Sequence, residues 1–244
     1  VDAYVRQQQD PYALWLSFPD PHYPYEVPRA YYNRAKAQTI NLPPPGPVPG
    51  PDLPDRNRVL NNLLRWPDES LDDLREAVTC YLANVLFIDD AINRLLDTLE
   101  ETGKLANTIL VFCSDHGDYA GEFQTMTKGG TFYDCMVRVP MILSAPDQVP
   151  AGQVEHSPVS LLDIIPTIFA LQGIELPHAV DGQKMVPVKW AKAQTYGYSL
   201  YGAGGPDFML SDHEKMPVKR GRSAFLSTGQ QREMAGKRAM VRSP

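Results

Sequence analysis

The chain has 244 residues, 43% of them hydrophobic and 21% charged, with a formal net charge of -6. That is enough apolar chain for one large core, or one core with a small appendage, and it excludes a disordered tail. No run approaches the roughly 18 consecutive apolar residues of a membrane span, and no basic, apolar, small-residue pattern at the N-terminus marks a signal peptide.

The first predicted element is a buried strand, Tyr12-Ala13-Leu14-Trp15-Leu16-Ser17-Phe18, ending in the polar turn Pro19-Asp20-Pro21-His22-Tyr23-Pro24. Prolines on both sides of His22 restrict where its ring can point, and a titratable imidazole there suits a general acid or a donor to an anion. Between Leu42 and Asp55 lie seven prolines and two glycines, which predicts extended surface chain rather than helix. From Ser70 the apolar positions Leu71, Leu74, Val78, Leu82, Val85, Ile92, Leu95 and Leu99 recur at helical period, predicting an amphipathic helix to Thr102. Ser70 with Asp73 reads as a capping box, and Gly103-Lys104 as the C-terminal stop. Asp89 and Asp90 diverge by about 100° on that helix and cannot share a substrate; one falls at the edge of the packed face and the other in solvent.

The helix leads into Thr108-Ile109-Leu110-Val111-Phe112-Cys113, an apolar run of the kind that forms a strand buried on both faces. It ends abruptly in Ser114-Asp115-His116-Gly117. Ligands of open α/β sheets gather beyond the carboxyl ends of strands, so Asp115 and His116 would project where chemistry occurs. In a turn the two neighbours can converge on one divalent ion: oxygen ligands favour Ca²⁺ or Mg²⁺, and the nitrogen also admits Mn²⁺ or Zn²⁺. Asp118 and Glu122 nearby serve as supporting groups or as loop charge. Lys128-Gly129-Gly130 then offers an ammonium for an oxyanion beside backbone that a ligand can approach closely. A further strand, Val137-Arg138-Val139-Pro140-Met141-Ile142-Leu143, and a helix opening at Asp163, with Pro166 in its first turn and running to Gly173, complete the order β, long loop, α, β, loop, β, α. Arg138 is read as one half of an ion pair with a carboxylate on a neighbouring element. His156, His178 and His213 lie in polar loops and are read as solvated.

Cys80, Cys113 and Cys135 are an odd count without metal-type spacing, in apolar periodic segments, which predicts buried thiols rather than disulfides. The compartment stays open. Charge divides the chain: residues 1–183 hold 12 Lys+Arg against 25 Asp+Glu, and residues 184–244 hold 11 against 4. The basic residues of the tail are scattered without a helical stripe or interleaved aromatics, which argues against a nucleic-acid surface. Its last residues, Ala239 to Pro244, resemble a strand entering a C-terminal sheet.

With the Asp115-His116-Gly117 turn, the Lys128-Gly129-Gly130-Thr131-Phe132-Tyr133-Asp134 segment and Pro21-His22-Tyr23-Pro24 in view, the chain resembles the sulfatase family of the alkaline-phosphatase superfamily over roughly residues 11 to 183, with the usual uncertainty at element boundaries. The resemblance implies an α/β fold, a mostly parallel wound sheet flanked by helices. Residues 1–183 would form part of the catalytic domain, and 184–244 an irregular basic segment leading to a truncated subdomain. It implies that Asp115 and His116 are metal ligands, that Lys128 contacts the sulfate and that His22 contacts substrate as catalytic residue, in hydrolysis of a small-molecule sulfate ester. Thr127 stands where the family often has glycine, and Asp134 where it has glutamate.

The segment in which sulfatases most resemble one another, Cys or Ser followed by x-Pro-Ser-Arg, whose first residue becomes the nucleophilic formylglycine, has no match. None of the three cysteines has a proline two residues on; Ser17-Phe18-Pro19 and Ser144-Ala145-Pro146 have the proline but lack Ser-Arg. The family's early Asp-Asp metal pair is unmatched too, and Lys189-Trp190-Ala191 is misplaced for its Lys-Trp-His segment. The reading is therefore the latter part of a catalytic domain, inactive or nearly so by itself. Phosphonate or phosphate ester hydrolysis within the same superfamily, and a nonenzymatic anion-binding domain, are the competing readings. Association of identical chains stays open.

Overall fold

The computed structural model describes residues 1–44, 57, 64–129, 131–185, 197–201 and 238–242, the last two ranges as backbone strands. The proline-rich stretch from residue 45 onward, Gly130, His213 and the greater part of the basic tail lie outside the described residues.

The organising element is a helix of 31 residues, and two shorter helices pack along it. Helix α1 spans Asp2–Gln7, α2 Arg29–Lys36 and α3, the long helix, Leu71–Glu101. Its apolar face carries the main core: Leu74 and Val78 close on Met126, with Tyr25, Ile40, Leu42, Trp66, Leu71, Ala77 and Tyr81 around them. Burying such side chains stabilises by about 1.5–3 kcal/mol each, which favours packing on this face; Leu82 and Val85, expected on the same face, are instead 36% and 41% exposed. Polar contacts hold the flanking helices. Arg34 of α2 pairs with Asp90 at 2.6 Å, leaving Asp89 exposed as expected, and the Lys104 ammonium beyond α3 donates to the Val5 and Gln8 carbonyl oxygens. Gly103 stops the helix at φ 68, a left-handed position that suits glycine. The expected capping box at its start is absent, since the Ser70 side chain makes no cap hydrogen bond; a 3-10 turn over Asp68–Ser70 leads directly into the helix instead.

Strand β1, Leu110–Cys113, pairs with β2, Met141–Ser144. They run antiparallel, with Leu110 opposite Ser144 and Cys113 opposite Met141. A parallel neighbour needs a crossover, usually a full helix; the described residues between the strands, 114–129 and 131–140, instead form loops, a 3-10 turn and the four-residue helix α4, Asp134–Val137. The second strand is also shorter than expected, because residues 134–137 turn helically before Pro140. Both strands keep one open face, with Phe112 39% and Ile142 61% exposed, so the expected burial on both faces does not hold among the described residues. Residues 12–18 form no strand among the described residues, and Trp15 is 86% exposed; without a ladder partner an apolar run does not become a strand.

Helix α5, Ile164–Gln172, begins where the sequence places it and stops at Gly173, φ 67. The capping box lies here, between Ser160 and Asp163. The buried Asp163 carboxylate also accepts from Gln183 N–H at 2.7 Å, so the returning chain is tied to the helix start. Two further strands, β3 Gly197–Tyr201 and β4 Arg238–Arg242, form an antiparallel pair; the strand read at the end of the tail is present, and β3 appears in a segment read as irregular.

Candidate functional site

The turn after β1 is built by its own polar groups. Ser114 Oγ donates to the His116 carbonyl oxygen at 2.8 Å, and His116 N–H donates to Asp115 Oδ1 at 2.9 Å. The chain then passes beneath α4: Gly117 N–H donates to the Met136 carbonyl oxygen at 2.9 Å. Gly117 lies so close to Cys135 that a Cβ there would overlap the Cys135 carbonyl carbon and oxygen.

This turn turns both neighbouring side chains to one place. Asp115 Oδ2 lies 3.6 Å from His116 Nε2, with the carboxylate largely exposed. His116 Nδ1 is 2.9 Å from the Gly117 carbonyl oxygen; assigning the proton to Nδ1 satisfies that bond and leaves the lone pair on Nε2. Lys128 Nζ lies 3.1 Å from that same Nε2 and donates to it. Two chelating atoms and one cation from two loops thus meet at a half-open surface.

The Lys128 loop holds an unusual backbone. Thr127 sits at φ 68, a conformation in which a β-branched residue is strained by roughly 1–3 kcal/mol and glycine is not. Hydrogen bonds hold it there, from Tyr119 N–H to the Thr127 carbonyl oxygen at 2.9 Å and from Thr127 N–H to Tyr25 Oη at 3.2 Å. Thr127→Gly should relieve the strain and raise stability by up to about 1 kcal/mol, seen as a higher thermal unfolding midpoint. A lower midpoint would show that the threonine side chain matters more than its backbone cost.

His22 is exposed; its N–H donates to the Pro19 carbonyl oxygen at 3.1 Å, and the described contacts of its ring are with its neighbour: Nδ1 lies 2.6 Å from the Tyr23 carbonyl oxygen and the ring stacks on Tyr23 at 4.8 Å. The peptide bonds Asp20–Pro21 and Tyr23–Pro24 are cis. No described bond joins His22 to Asp115, His116 or Lys128. What brings its turn to their loops is Tyr25, whose hydroxyl donates to Asp118 Oδ2 at 3.3 Å. Asp118 Oδ1 accepts from Ala120 N–H at 2.9 Å. Burial pushes the Asp118 carboxyl above the usual carboxylate range, against those hydrogen bonds and the Lys128 charge. Burial and the Asp118 charge push the Tyr25 hydroxyl up in turn, so it stays a donor. Asp118, open in the sequence between supporting group and loop charge, is thus a structural acceptor, and the importance of Tyr25 had no local signal because its partners lie about a hundred positions away.

Other expected residues fall elsewhere. His156 and His178 are exposed. Arg138 pairs with Asp134 at 3.6 Å, one turn away on the same element rather than on a neighbour. The three cysteines are free and half-buried. Burial raises each of them, Cys135 to about 12, so none is poised as a thiolate nucleophile. Among the described residues no group of three or more His, Cys, Asp and Glu side chains gathers as a metal site, and no helix is long and apolar enough to cross a membrane.

Comparison with known proteins gives a match of the sulfatase family model to residues 1–174. The choline-sulfatase of Rhizobium meliloti (strain 1021) is 30% identical over 187 residues, covering 75% of this chain and 36% of that protein. The arylsulfatase of Clostridium perfringens (strain 13 / Type A) is 29% identical over 205 residues, 81% of this chain and 41% of the relative. The chain therefore spans well under half the length of these relatives. The crystal structure of the phosphonate monoester hydrolase of Agrobacterium radiobacter superposes with a TM-score of 0.72 at 19% identity, over 99% of this chain and 49% of that one. The fold class is that of these alkaline-phosphatase-like α/β proteins, of which helices and a small sheet are described here.

Proposed function

Because the chain belongs to the sulfatase family, we propose that the whole protein hydrolyses a small-molecule sulfate ester, with Lys128 and His22 as its catalytic residues and Asp115 and His116 as metal ligands. The observation that carries the reading is the meeting of Asp115, His116 and Lys128 at one exposed point after β1. The Nδ1–H···Gly117 bond fits His116 for ligation, since it fixes the tautomer with the lone pair on Nε2; a metal there would take the place of the Lys128 ammonium that Nε2 now accepts from. Asp115 and His116 would hold one divalent ion, Ca²⁺ first, with Mg²⁺, Mn²⁺ or Zn²⁺ as alternatives; when bound it supplies positive charge against the sulfate oxygens. Lys128 adds a second positive charge and a donor to the oxyanion. His22, with Nδ1 engaged by the Tyr23 carbonyl, offers Nε2 to give a proton to the departing alkoxide.

No residue of the chain stands in the formylglycine motif, and the raised thiols do not replace it. The nucleophile in this reading belongs to the rest of the protein, and the 244 residues alone are expected to turn over no ester. Residues 1–183 are read as part of the catalytic domain, with 184–244 as a separate basic segment. Phosphonate or phosphate esters are the second reading, because an ammonium and a metal-holding carboxylate greet phosphoryl and sulfuryl oxygens alike. Assay of the full-length protein on an aryl sulfate and an aryl phosphonate monoester, with and without chelator, separates the two. Faster sulfate hydrolysis that chelation abolishes is expected; cleavage of the phosphonate alone overturns the sulfatase reading, and cleavage of neither favours an anion-binding role.

A further inference from the structure

The three loops that supply the proposed catalytic and metal-binding groups meet at a residue belonging to none of these groups. Tyr25 follows His22 by three positions, Asp118 follows His116 by two, and Thr127 immediately precedes Lys128. The Tyr25 hydroxyl donates to Asp118 Oδ2 at 3.3 Å and accepts from Thr127 N–H at 3.2 Å, so one oxygen bonds both loops. Its ring is anchored independently of those bonds: it lies in the core cluster of Leu74, Val78 and Met126 and meets Tyr81 edge-on at 6.1 Å. Asp118 is itself fixed by Ala120 N–H at 2.9 Å. His22, by contrast, has an exposed ring whose described bond is to its own neighbour.

We infer that Tyr25 is a positioning residue, whose hydroxyl sets the register of the His22 turn against the His116 and Lys128 loops. Loss of the hydroxyl frees the Thr127 N–H, while the Tyr119 N–H bond to the Thr127 carbonyl oxygen and the Ala120 N–H bond to Asp118 still hold the two loops; it uncouples the turn, so the ring that protonates the leaving group no longer holds its place. Proton delivery suffers first. Misplacement by about 1 Å can cost on the order of a hundredfold in rate, and the loss falls on kcat because the groups that bind the oxyanion stay in their own loops. The inference rests on the roles proposed for His22 and Lys128.

The test uses the full-length protein, its Tyr25→Phe variant and, as control, Tyr81→Phe, which removes a hydroxyl from the same cluster without touching the clamp. Turnover is measured on a series of aryl and alkyl sulfates of rising leaving-group pKa, and amide hydrogen exchange is followed in segments 22–26 and 118–128. Expected for Tyr25→Phe is a steeper dependence on leaving-group pKa, with a loss of roughly tenfold or more in kcat for poor leaving groups, little change in KM, and faster exchange at the Thr127 amide. Tyr81→Phe keeps the wild-type slope. Equal loss across the series, or unchanged exchange at Thr127, overturns the inference. If the wild-type protein cleaves no ester the functional reading fails instead, and the exchange result alone then decides whether Tyr25 couples these loops.

Discussion

Replacement of Lys128 by alanine in the full-length protein is expected to lower kcat/KM for a sulfate ester by on the order of 10²–10³-fold, the size of loss seen when one donor to a developing oxyanion is removed. The side chain is half-exposed and its described bond is to His116 Nε2 at 3.1 Å. Its removal should therefore leave the fold intact, with a thermal midpoint close to wild type. Arginine should not restore the rate: its guanidinium is larger and planar, and its fork cannot replace a compact ammonium seated against one imidazole nitrogen. Steady-state kinetics of the alanine and arginine variants, beside their unfolding curves, check the expectation. A variant that keeps full turnover would remove Lys128 from the chemistry.

Gly117→Ala should damage both stability and site. The added methyl group would overlap the Cys135 carbonyl, and the atoms it meets are backbone, so no side chain can rotate away. The turn must shift, at the expense of the Gly117 N–H bond to Met136 O, 2.9 Å long. Overpacking of this kind costs about 1–3 kcal/mol. The shift also falls on the residue next to His116, whose tautomer depends on the Gly117 carbonyl oxygen. Turnover should fall by on the order of a hundredfold even in the fraction that stays folded. Unfolding midpoints and kinetics normalised to folded protein test this. Near-wild-type values for both would mean that α4 gives way easily and that the close approach carries no function.

The parts of the site that were legible in the sequence are those where one segment holds the whole signal. An apolar run stopping at Asp115-His116-Gly117 announces a strand end with polar groups, and β1 ends at Cys113 as that run suggests. Lys128 before glycine, and the period of Leu71 to Leu99, are equally local. What was not legible depends on residues distant in sequence. The contact of His116 with Lys128 spans 12 positions and those of Tyr25 span 93 and 102, and nothing in the turn Pro19 to Pro24 indicates that a tyrosine just beyond it bonds two other loops. The antiparallel β1–β2 pairing was hidden for a related reason: the apolar run is compatible with either direction, and the expected loop between the strands, which holds only the short α4, brings the second strand back antiparallel. Ser70 and Ser160 make the same point for capping. Both precede a helix with an acid three positions on, yet the box closes only at Ser160, where the Asp163 carboxylate reaches the Ser160 N–H at 2.8 Å.

The departure at Thr127 shows how a local motif and a distant contact combine. Its position suits glycine by backbone conformation, and the chain keeps a threonine there by spending two hydrogen bonds, one of them to Tyr25. The strained residue and the clamp are thus one device, immediately before the lysine that the proposed chemistry uses.

The direct measurement is a crystal structure of the full-length protein soaked with Ca²⁺ and sulfate. Metal density in contact with the Asp115 carboxylate and His116 Nε2, together with a sulfate within hydrogen-bond distance of Lys128 Nζ and the His22 ring turned toward it, is the expected result. A sulfate or metal bound elsewhere, with Lys128 still donating to His116 and the His22 ring still stacked on Tyr23, would contradict the assignment of these four residues to one site.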